Sequence, residues 1–245
     1  MGAESTAPGK APLSFEDEWE RWLSLFLPTL EKVEDLFPSF RPVLSIDTYR
    51  PEIFRRLYAL IHNRYPMVWN DVTGLWDQEV VDVLLSCPEA CYVHGHSLLE
   101  RREHVQSHLL STWPEEGIDF VKRLQLFFRQ RQEQVFGLFG ESGLQRVIWD
   151  PCWGFSKKRE QNLALLTHFP WFLQGLHPKS PWMIGLSRKS FLREANFQNW
   201  EQAEWRQSVW LTTLLRSCPL NPLFLRVHRP ELAEVALELA PSLPS

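Results

Sequence analysis

The sequence predicts a parallel α/β fold, on two observations. Short apolar runs rich in β-branched and aromatic residues recur along the chain, and each is too short for a helix but typical of a buried parallel strand. Segments with helical periodicity lie between these runs, and such alternation indicates parallel strands joined by right-handed crossovers. Because the 245 residues contain 44% hydrophobic residues and no Ser/Gly-rich linker divides them, we expect one domain over residues 1–245.

The elements follow in order along the chain. The predicted strands are residues 43–46, 67–69, 92–93, 147–149, 182–184 and 223–227. The predicted helices are residues 16–37, 51–63, 78–86, 116–139, 159–173, 200–217 and 230–239. Several tryptophans fall in these helices at spacings that suit an apolar face, so we interpret them as core residues rather than as a binding surface: Trp19, Trp22, Trp200, Trp205 and Trp210.

Charge and hydropathy exclude several classes of function. A formal charge of −4 and a pI near 6.1 offer no general attraction for nucleic acid or an anionic membrane surface. No apolar run approaches the roughly 20 residues of a membrane span, and the first residues lack the basic and apolar regions of a signal peptide. We therefore expect a cytoplasmic protein that binds neither nucleic acid nor membranes.

Cysteine and histidine spacing gives no metal site. Of the four cysteines only Cys87 and Cys91 are close in sequence, without the second pair of a zinc site, so we expect reduced, buried thiols. His94 and His96 would share one face of a strand, but no third ligand is evident.

Polar and small residues gather where the predicted strands end, which is where α/β barrels keep their chemistry. Residues 150–157 read Asp-Pro-Cys-Trp-Gly-Phe-Ser-Lys, and residues 185–190 read Gly-Leu-Ser-Arg-Lys-Ser. Further stretches are Ser-Thr-Ala-Pro-Gly at 5–9, Ser-Ile-Asp-Thr at 45–48, Asn-Asp-Val-Thr-Gly at 70–74, Val-His-Gly at 93–95 and Arg-Val-His at 226–228. These stretches predict an enzyme.

This ordered set closely resembles the dihydropteroate synthase family. The resemblance implies a (β/α)8 TIM barrel and a transferase of folate biosynthesis with Mg²⁺ as its cofactor. In that reaction the amine of 4-aminobenzoate displaces diphosphate from the methylene carbon of a 7,8-dihydropterin diphosphate, which gives 7,8-dihydropteroate. A homodimer formed through helices that include residues 200–217 is also implied, although core packing accounts equally well for the apolar residues of that segment.

The resemblance also implies residue roles. A pterin edge of donors and acceptors needs carboxylates and an amide, and a diphosphate needs cations such as the planar Arg fork. The implied pterin-binding residues are Asp47, Asn70, Asp150 and Lys189; the diphosphate-binding residues are Thr6, Arg226 and His228; the aminobenzoate-binding residues are Pro8, Phe155 and Ser190; the catalytic residues are Asp47, Lys189, Arg226 and His228. Taken alone, Asp47 and Asn70 fit equally well as caps of the helices that follow them.

The sequence departs from the family pattern at both ends of the site. It begins inside the signature of the second strand, so we expect a barrel lacking the first strand and its Asn-x-Thr-x-Asp-Ser-Phe loop, through a late start or a real truncation. The Asn that helps to bind Mg²⁺ would lie upstream, so no metal ligand is identified. Ala7 stands where the family has Arg, and Cys152 and Trp153 stand where it has Gly and Ile, so the turn either narrows the pocket mouth or repacks.

Three functions fit these residues. The first is a working dihydropteroate synthase. The second is a catalytically impaired or inactive pterin-binding homologue, which the missing first loop and Ala7 favour. The third is a corrinoid-linked methyltransferase of the related pterin-binding fold, which has no need of the Ser-Arg-Lys-Ser and Arg-x-His elements.

Overall fold

The computed structural model describes residues 1–4, 11–107, 111–193, 200–218 and 222–242. These residues form two compact units, Met1–His108 and Leu109–Ser245, and each is described by itself. A single domain over the whole chain therefore stays a prediction.

The first unit is built on three parallel strands in sequence order. Strand β2 is buried along its whole length, as expected of a central parallel strand. The register places Asp47 opposite Asn70 and Asp71 opposite His94, so polar side chains meet where the strands end. The elements are α1 (Phe15–Arg21), a π-helix (Trp22–Phe26), α2 (Leu27–Leu36), β1 (Leu44–Asp47), α3 (Pro51–Ile61), β2 (Met67–Asp71), α4 (Gln78–Ser86), β3 (Cys91–Gly95) and a 3₁₀ segment (Arg102–Ser107).

Helix α3 shows how the sequence builds this unit. It begins with Pro51, whose fixed φ suits the first helical turn. Its buried residues recur at helical spacing, among them Ile53, Leu57 and Ile61. Phe54 lies on the same buried side and stacks on Trp69 of β2 at a ring separation of 5.5 Å. Apolar periodicity thus fixes which face of the helix meets the sheet.

The second unit also carries three parallel strands in sequence order. Its longest helix, α5, is interrupted at Gly140, where φ 65° and ψ −156° suit glycine, and then continues. The predicted helix 116–139 therefore ends at the interruption rather than at the true end of the segment. The elements are α5 (Gly117–Arg146), β4 (Val147–Asp150), α6 (Arg159–Gln174), β5 (Trp182–Ile184), a 3₁₀ turn (Ser190–Leu192), α7 (Trp200–Ser217), β6 (Leu223–Leu225) and α8 (Pro230–Ser242).

An aromatic cluster forms the core of the second unit. Trp182 of β5 lies 5.0 Å from the ring of Phe128 and 5.2 Å from that of Phe172, both at steep interplanar angles. Phe169 stacks on Phe172 at 5.5 Å. Such edge-to-face pairs add to the apolar burial that joins α5, α6 and β5.

Within the described residues the six predicted strands are confirmed in number, order and approximate bounds. The seven predicted helices are confirmed in order, but the first, residues 16–37, is divided into α1, the π-helix and α2. The core assignment of the helical tryptophans is confirmed for Trp22, which is buried, and wrong for Trp205, which is 74% exposed. The buried positions of α7 include Ala203, Gln207 and Leu211, so Trp205 falls on the opposite face. Helical spacing alone did not determine which face is buried. Trp19 and Trp210 are half-buried, and the side chain of Trp200 lies outside the described part.

The cysteines divide into two pairs. Cys87 and Cys218 are buried, and burial raises the pKa of the Cys218 thiol to about 11. Cys91 and Cys152 are half-buried, so the expectation of burial was wrong for them. None of the described helices has both the length and the apolarity needed to cross a membrane.

Candidate active site

Asp47 and Asn70 form a hydrogen-bonded pair in the first unit. They lie opposite each other at the carboxyl ends of β1 and β2, and the Asn70 amide Nδ2 donates to Asp47 Oδ1 at 3.0 Å. Asn70 is buried and Asp47 is half-buried. The pair presents carboxylate and amide groups side by side.

The helix-capping explanation for these two residues is wrong. Helix α3 is preceded by Arg50, which makes no side-chain cap. Helix α4 is capped by Asp77, whose Oδ1 accepts the Val80 backbone N–H at 3.0 Å. Neither Asp47 nor Asn70 therefore caps a helix, so another role must explain their polar side chains.

Next to this pair lies an ion pair that sequence reasoning missed. Arg102 Nη1 donates to Asp71 Oδ2 at 2.8 Å, and the Thr73 backbone N–H donates to Asp71 Oδ1 at 2.9 Å. Burial raises the pKa of Asp71, while Arg102 and Thr73 act in the opposite direction. The position of Asp71 beside Asn70 was the available signal, but nothing in the sequence joins it to an arginine 31 residues away.

In the second unit the β4–α6 loop closes tightly over the strand end. Asp150 Oδ1 accepts the Cys152 backbone N–H at 2.7 Å, and Asn162 Oδ1 accepts the Gly154 backbone N–H at 2.8 Å. The Lys157 ammonium donates to the carbonyls of Cys152, at 3.3 Å, and of Phe155, at 3.2 Å. These bonds fix the loop that carries Asp150 and Phe155.

The loop has three residues in the left-handed backbone region that favours glycine, and only one of the three is a glycine. Cys152, Gly154 and Ser156 have φ of 57°, 76° and 50°. Trp153 is buried and packs on Phe169 at 5.6 Å, so this substitution repacks into the core. Trp153 therefore does not narrow the pocket mouth.

Replacing Cys152 with glycine is expected to stabilise the protein by about 0.5–1 kcal/mol. A left-handed non-glycine residue costs about 1–2 kcal/mol, and the greater freedom of glycine in the unfolded chain offsets part of that gain. Urea unfolding measures the change. Cys91→Gly, on strand β3, is the control and should destabilise the protein; if both variants lose stability alike, strain at Cys152 is absent.

Lys189 lies against the aromatic ring of Phe155. Its Nζ is 3.7 Å from the ring centroid, and a Cβ added at Gly154 would come within 3.1 Å of Lys189 Cδ. Burial lowers the pKa of Lys189 to about 8, which Asp150 opposes, and burial likewise lowers the pKa of Lys157 to about 8. Glycine at position 154 thus leaves the room that Lys189 occupies.

Burial also perturbs Asp150. It raises the pKa of the Asp150 carboxyl, while the Cys152 N–H, Lys189 and Arg226 pull it back. The structure therefore places Asp150, Lys189 and Arg226 within electrostatic reach of one another. Perturbed groups gathered at strand ends are typical of functional sites.

Ser187 orients His228. Ser187 Oγ accepts the His228 backbone N–H at 3.2 Å and lies 2.8 Å from His228 Nδ1. The Ser187 hydroxyl can donate or accept, so it forms a hydrogen bond with Nδ1 in either tautomer of the His228 ring. Sequence reasoning missed Ser187, although it lies in the singled-out stretch 185–190.

Three predicted site residues lie in other elements than expected, and two more lie outside the described residues. Strand β6 ends at Leu225, so the predicted strand 223–227 is shortened; the Arg226 N–H still donates to Ile184 O at 2.9 Å, and His228 lies in the following loop. The resemblance places Ser190 at the start of a helix, where backbone amides would also meet the aminobenzoate carboxylate; this is wrong, because Ser190 begins a 3₁₀ turn of 3 residues. Thr6 and Pro8 lie outside the described residues.

Comparison with known proteins places these features in a family. The family model of pterin binding enzymes matches residues 1–228. The dihydropteroate synthase of Thermus thermophilus, solved in complex with 4-aminobenzoate, superposes with a TM-score of 0.72 at 27% identity, covering 99% of this chain and 82% of that one.

Two curated relatives agree. The dihydropteroate synthase of Synechocystis is 27% identical over 232 residues, which are 93% of this chain and 70% of that protein. The folate synthesis bifunctional protein of Chlamydia trachomatis is 29% identical over 236 residues, which are 94% of this chain and 47% of that protein. The chain spans about half the length of this bifunctional relative. It belongs to the pterin binding enzyme family, as a dihydropteroate synthase-like member.

Proposed function

We propose that the chain is a dihydropteroate synthase, which joins 4-aminobenzoate to (7,8-dihydropterin-6-yl)methyl diphosphate. The observation that carries the proposal is the buried Asp150 carboxyl with Lys189 and Arg226 acting on its pKa at the end of β4. A buried carboxylate with two cations suits a pterin substrate. The pterin ring carries both hydrogen-bond donors and acceptors, and its side chain bears a diphosphate. The relatives named above support this substrate class.

The proposed pterin contacts use the geometry within each unit. Asp150 accepts hydrogen bonds from the amino-pyrimidine edge, and Lys189 donates to the ring carbonyl and N5 side. Asp47 and Asn70, already paired at 3.0 Å, offer a carboxylate and an amide. The negative charge of Asp47 also favours the cationic pterin that develops as the diphosphate leaves.

The chemical step we propose is a displacement. The lone pair of the arylamine forms a bond to the pterin methylene carbon while the bond from that carbon to the diphosphate oxygen breaks, and its electron pair stays on the oxygen. The amine then releases a proton to water or diphosphate. Arg226 and His228 stabilise the growing negative charge, together with Thr6 by resemblance.

The aminobenzoate site is proposed from Phe155, Pro8 and Ser190. The backbone carbonyl of Phe155 accepts a hydrogen bond from the Lys157 ammonium at 3.2 Å, which fixes the main chain at Phe155. An exposed Ser190 hydroxyl is available to the carboxylate. The contribution of Ser190 is its hydroxyl, since a single 3₁₀ turn offers no helix N-terminus.

Mg²⁺ remains part of the proposal as a companion of the diphosphate. The described residues do not fit a site of their own, because among them no three His, Cys, Asp or Glu side chains come together. Mg²⁺ commonly keeps several waters and takes its remaining ligands from substrate phosphates. No step of the proposed reaction is derived through it.

The finer points of the resemblance are also proposals: the (β/α)8 TIM-barrel architecture, a cytoplasmic location and a homodimer. For the homodimer, exposed Trp205 and Val209 lie one turn apart on α7 and would suit a partner helix. Trp205→Glu should convert the dimer fully to a monomer, as measured by light scattering. An unchanged mass would mean that α7 is not part of the interface.

The deciding experiment measures dihydropteroate formed from both substrates with Mg²⁺, using residues 1–245 and the full reading frame that contains them. Product formation supports the synthase. Tight pterin binding without product in either protein would favour the inactive homologue. Methyl transfer from methyltetrahydrofolate would favour the corrinoid-linked alternative.

Replacing Ala7 with arginine is expected to raise turnover by about 10- to 150-fold if the family arginine makes a charged hydrogen bond to substrate, because such a bond contributes about 1.5–3 kcal/mol. Steady-state kinetics measures the effect, with Ala7→Gln as the uncharged control. A fall in turnover would mean that the loop is adapted to alanine.

A further inference from the structure

We infer that Arg102 is a positioning residue for the pterin site, because it joins the chain segments that directly follow Asp47 and Asn70. The inference rests on the proposed function for its consequence, and on the contacts of the first unit for its geometry. Arg102 itself belongs to none of the stretches from which the family resemblance was drawn.

The guanidinium of Arg102 is buried and donates in several directions at once. Nη1 donates to Asp71 Oδ2 at 2.8 Å, to the Tyr49 carbonyl at 3.1 Å and to Thr73 Oγ1 at 3.3 Å. Nε and Nη2 each donate to an Asp77 carboxylate oxygen at 3.1 Å. One side chain thus gathers the β1–α3 loop, the end of β2 and the cap of α4.

These partners lie next to the proposed pterin residues in sequence. Tyr49 follows Asp47 by two positions, and Asp71 follows Asn70 directly. A second tie runs in parallel, because Trp69 Nε1 donates to the Thr48 carbonyl at 2.8 Å. Arg102 therefore holds the chain just after each member of the Asp47–Asn70 pair.

The planar fork is what this position needs. A lysine would keep the positive charge beside Asp71 but supply three donors from a single atom, which do not reach Asp71, Asp77 and the Tyr49 carbonyl in these directions. Burial raises the pKa of Asp71, so a weakened pairing also favours its neutral form. Arg102→Lys should keep the positive charge but hold the segments at Tyr49, Asp71 and Asp77 less firmly.

Loosening has a specific consequence for substrate. Displacement of a binding group by about 1 Å costs on the order of 100-fold when geometry is critical. Asn70 is adjacent to Asp71 on a buried strand, so the displacement reaches the pterin contacts first. Aminobenzoate contacts in the proposed function come from residues that Arg102 does not touch.

The test compares Arg102→Lys with two controls from the same unit. Arg64→Lys alters an exposed arginine whose Nη1 donates to Glu34 at 3.0 Å, and Ile61→Val loosens the buried face of α3 without changing the network. The readouts are the melting temperature, the dissociation constant of the pterin substrate, and KM for each substrate. We expect about 10- to 100-fold weaker pterin binding for Arg102→Lys, an aminobenzoate KM close to that of wild type, and neither effect in the controls.

Two outcomes overturn the inference. Pterin binding by Arg102→Lys equal to that of Ile61→Val at matched stability would mean that Arg102 only stabilises the fold. An equal rise of both KM values would mean a general loosening.

A readout without substrate separates this inference from the proposed function. The side-chain amide resonances of Asn70, assigned from their loss in Asn70→Asp, should move in Arg102→Lys and stay in Arg64→Lys. If wild type forms no dihydropteroate, the proposed function fails, while the Asn70 resonances still decide the positioning role. Unchanged resonances overturn it.

Discussion

Replacing Asp150 with asparagine is expected to reduce kcat/KM for the pterin substrate by about 10²–10⁴-fold. The variant keeps Oδ1 as acceptor for the Cys152 N–H, seen at 2.7 Å, so the loop remains closed. It exchanges the other oxygen for an NH₂ group that faces the donors of the pterin. Losing one charge-assisted hydrogen bond and leaving one donor unpaired costs about 3–6 kcal/mol together.

Steady-state kinetics and pterin binding measure this effect, with Asp119→Asn as the control. Asp119 lies in the first turn of α5 in the same unit and makes an exposed ion pair with Lys122 at 3.0 Å, so its change should leave both constants unaltered. The far-ultraviolet circular dichroism of Asp150→Asn should match that of wild type. Activity within about tenfold of wild type would remove Asp150 from the substrate site, because a single charged hydrogen bond already accounts for that much.

The sequence located Asp47 and Asn70 at the ends of predicted strands because two regularities act together. Apolar runs locate the strands, and polar residues at the end of adjacent parallel strands meet at one edge. The register that places Asp47 opposite Asn70 therefore follows from where the two strands end. The same logic located Asp150 at the end of β4.

Contacts between distant loop residues could not be predicted in the same way. Arg102 is 31 residues from Asp71 and 53 from Tyr49, and its charge looks like that of any surface arginine in the sequence. The Ser187 hydroxyl contacts His228 because the loop after β5 lies against the segment after β6. Such partners depend on side-chain directions that periodicity does not encode.

Helix phase and loop strain mark two further limits. In α7 both faces carry large apolar residues. The helical spacing of these residues therefore did not predict that Trp205 faces outward while Leu211 is buried. At Cys152 the family comparison indicated a missing glycine, but only the backbone shows that the left-handed conformation, with φ 57°, is kept. Substitution without a change of backbone is the physical basis of the stabilisation expected for Cys152→Gly.

Activity is expected to fall as pH rises above about 8, and Lys189 is the cause. Lys189 donates to the pterin only when protonated, and burial lowers its pKa to about 8. Above that pH the neutral amine predominates, so kcat/KM for the pterin substrate should fall about tenfold per pH unit.

Lys189→Arg tests the assignment, because a guanidinium stays charged throughout this range; its kcat/KM should be lower but level between about pH 8 and 10. The pKa of Lys157 is also lowered to about 8, so Lys157→Arg is the matched control. The Lys157 ammonium donates to loop carbonyls rather than to substrate, and its replacement should keep the alkaline fall. If the alkaline fall in kcat/KM disappears in Lys157→Arg and persists in Lys189→Arg, the group that titrates is Lys157 of the loop and not Lys189 at the substrate.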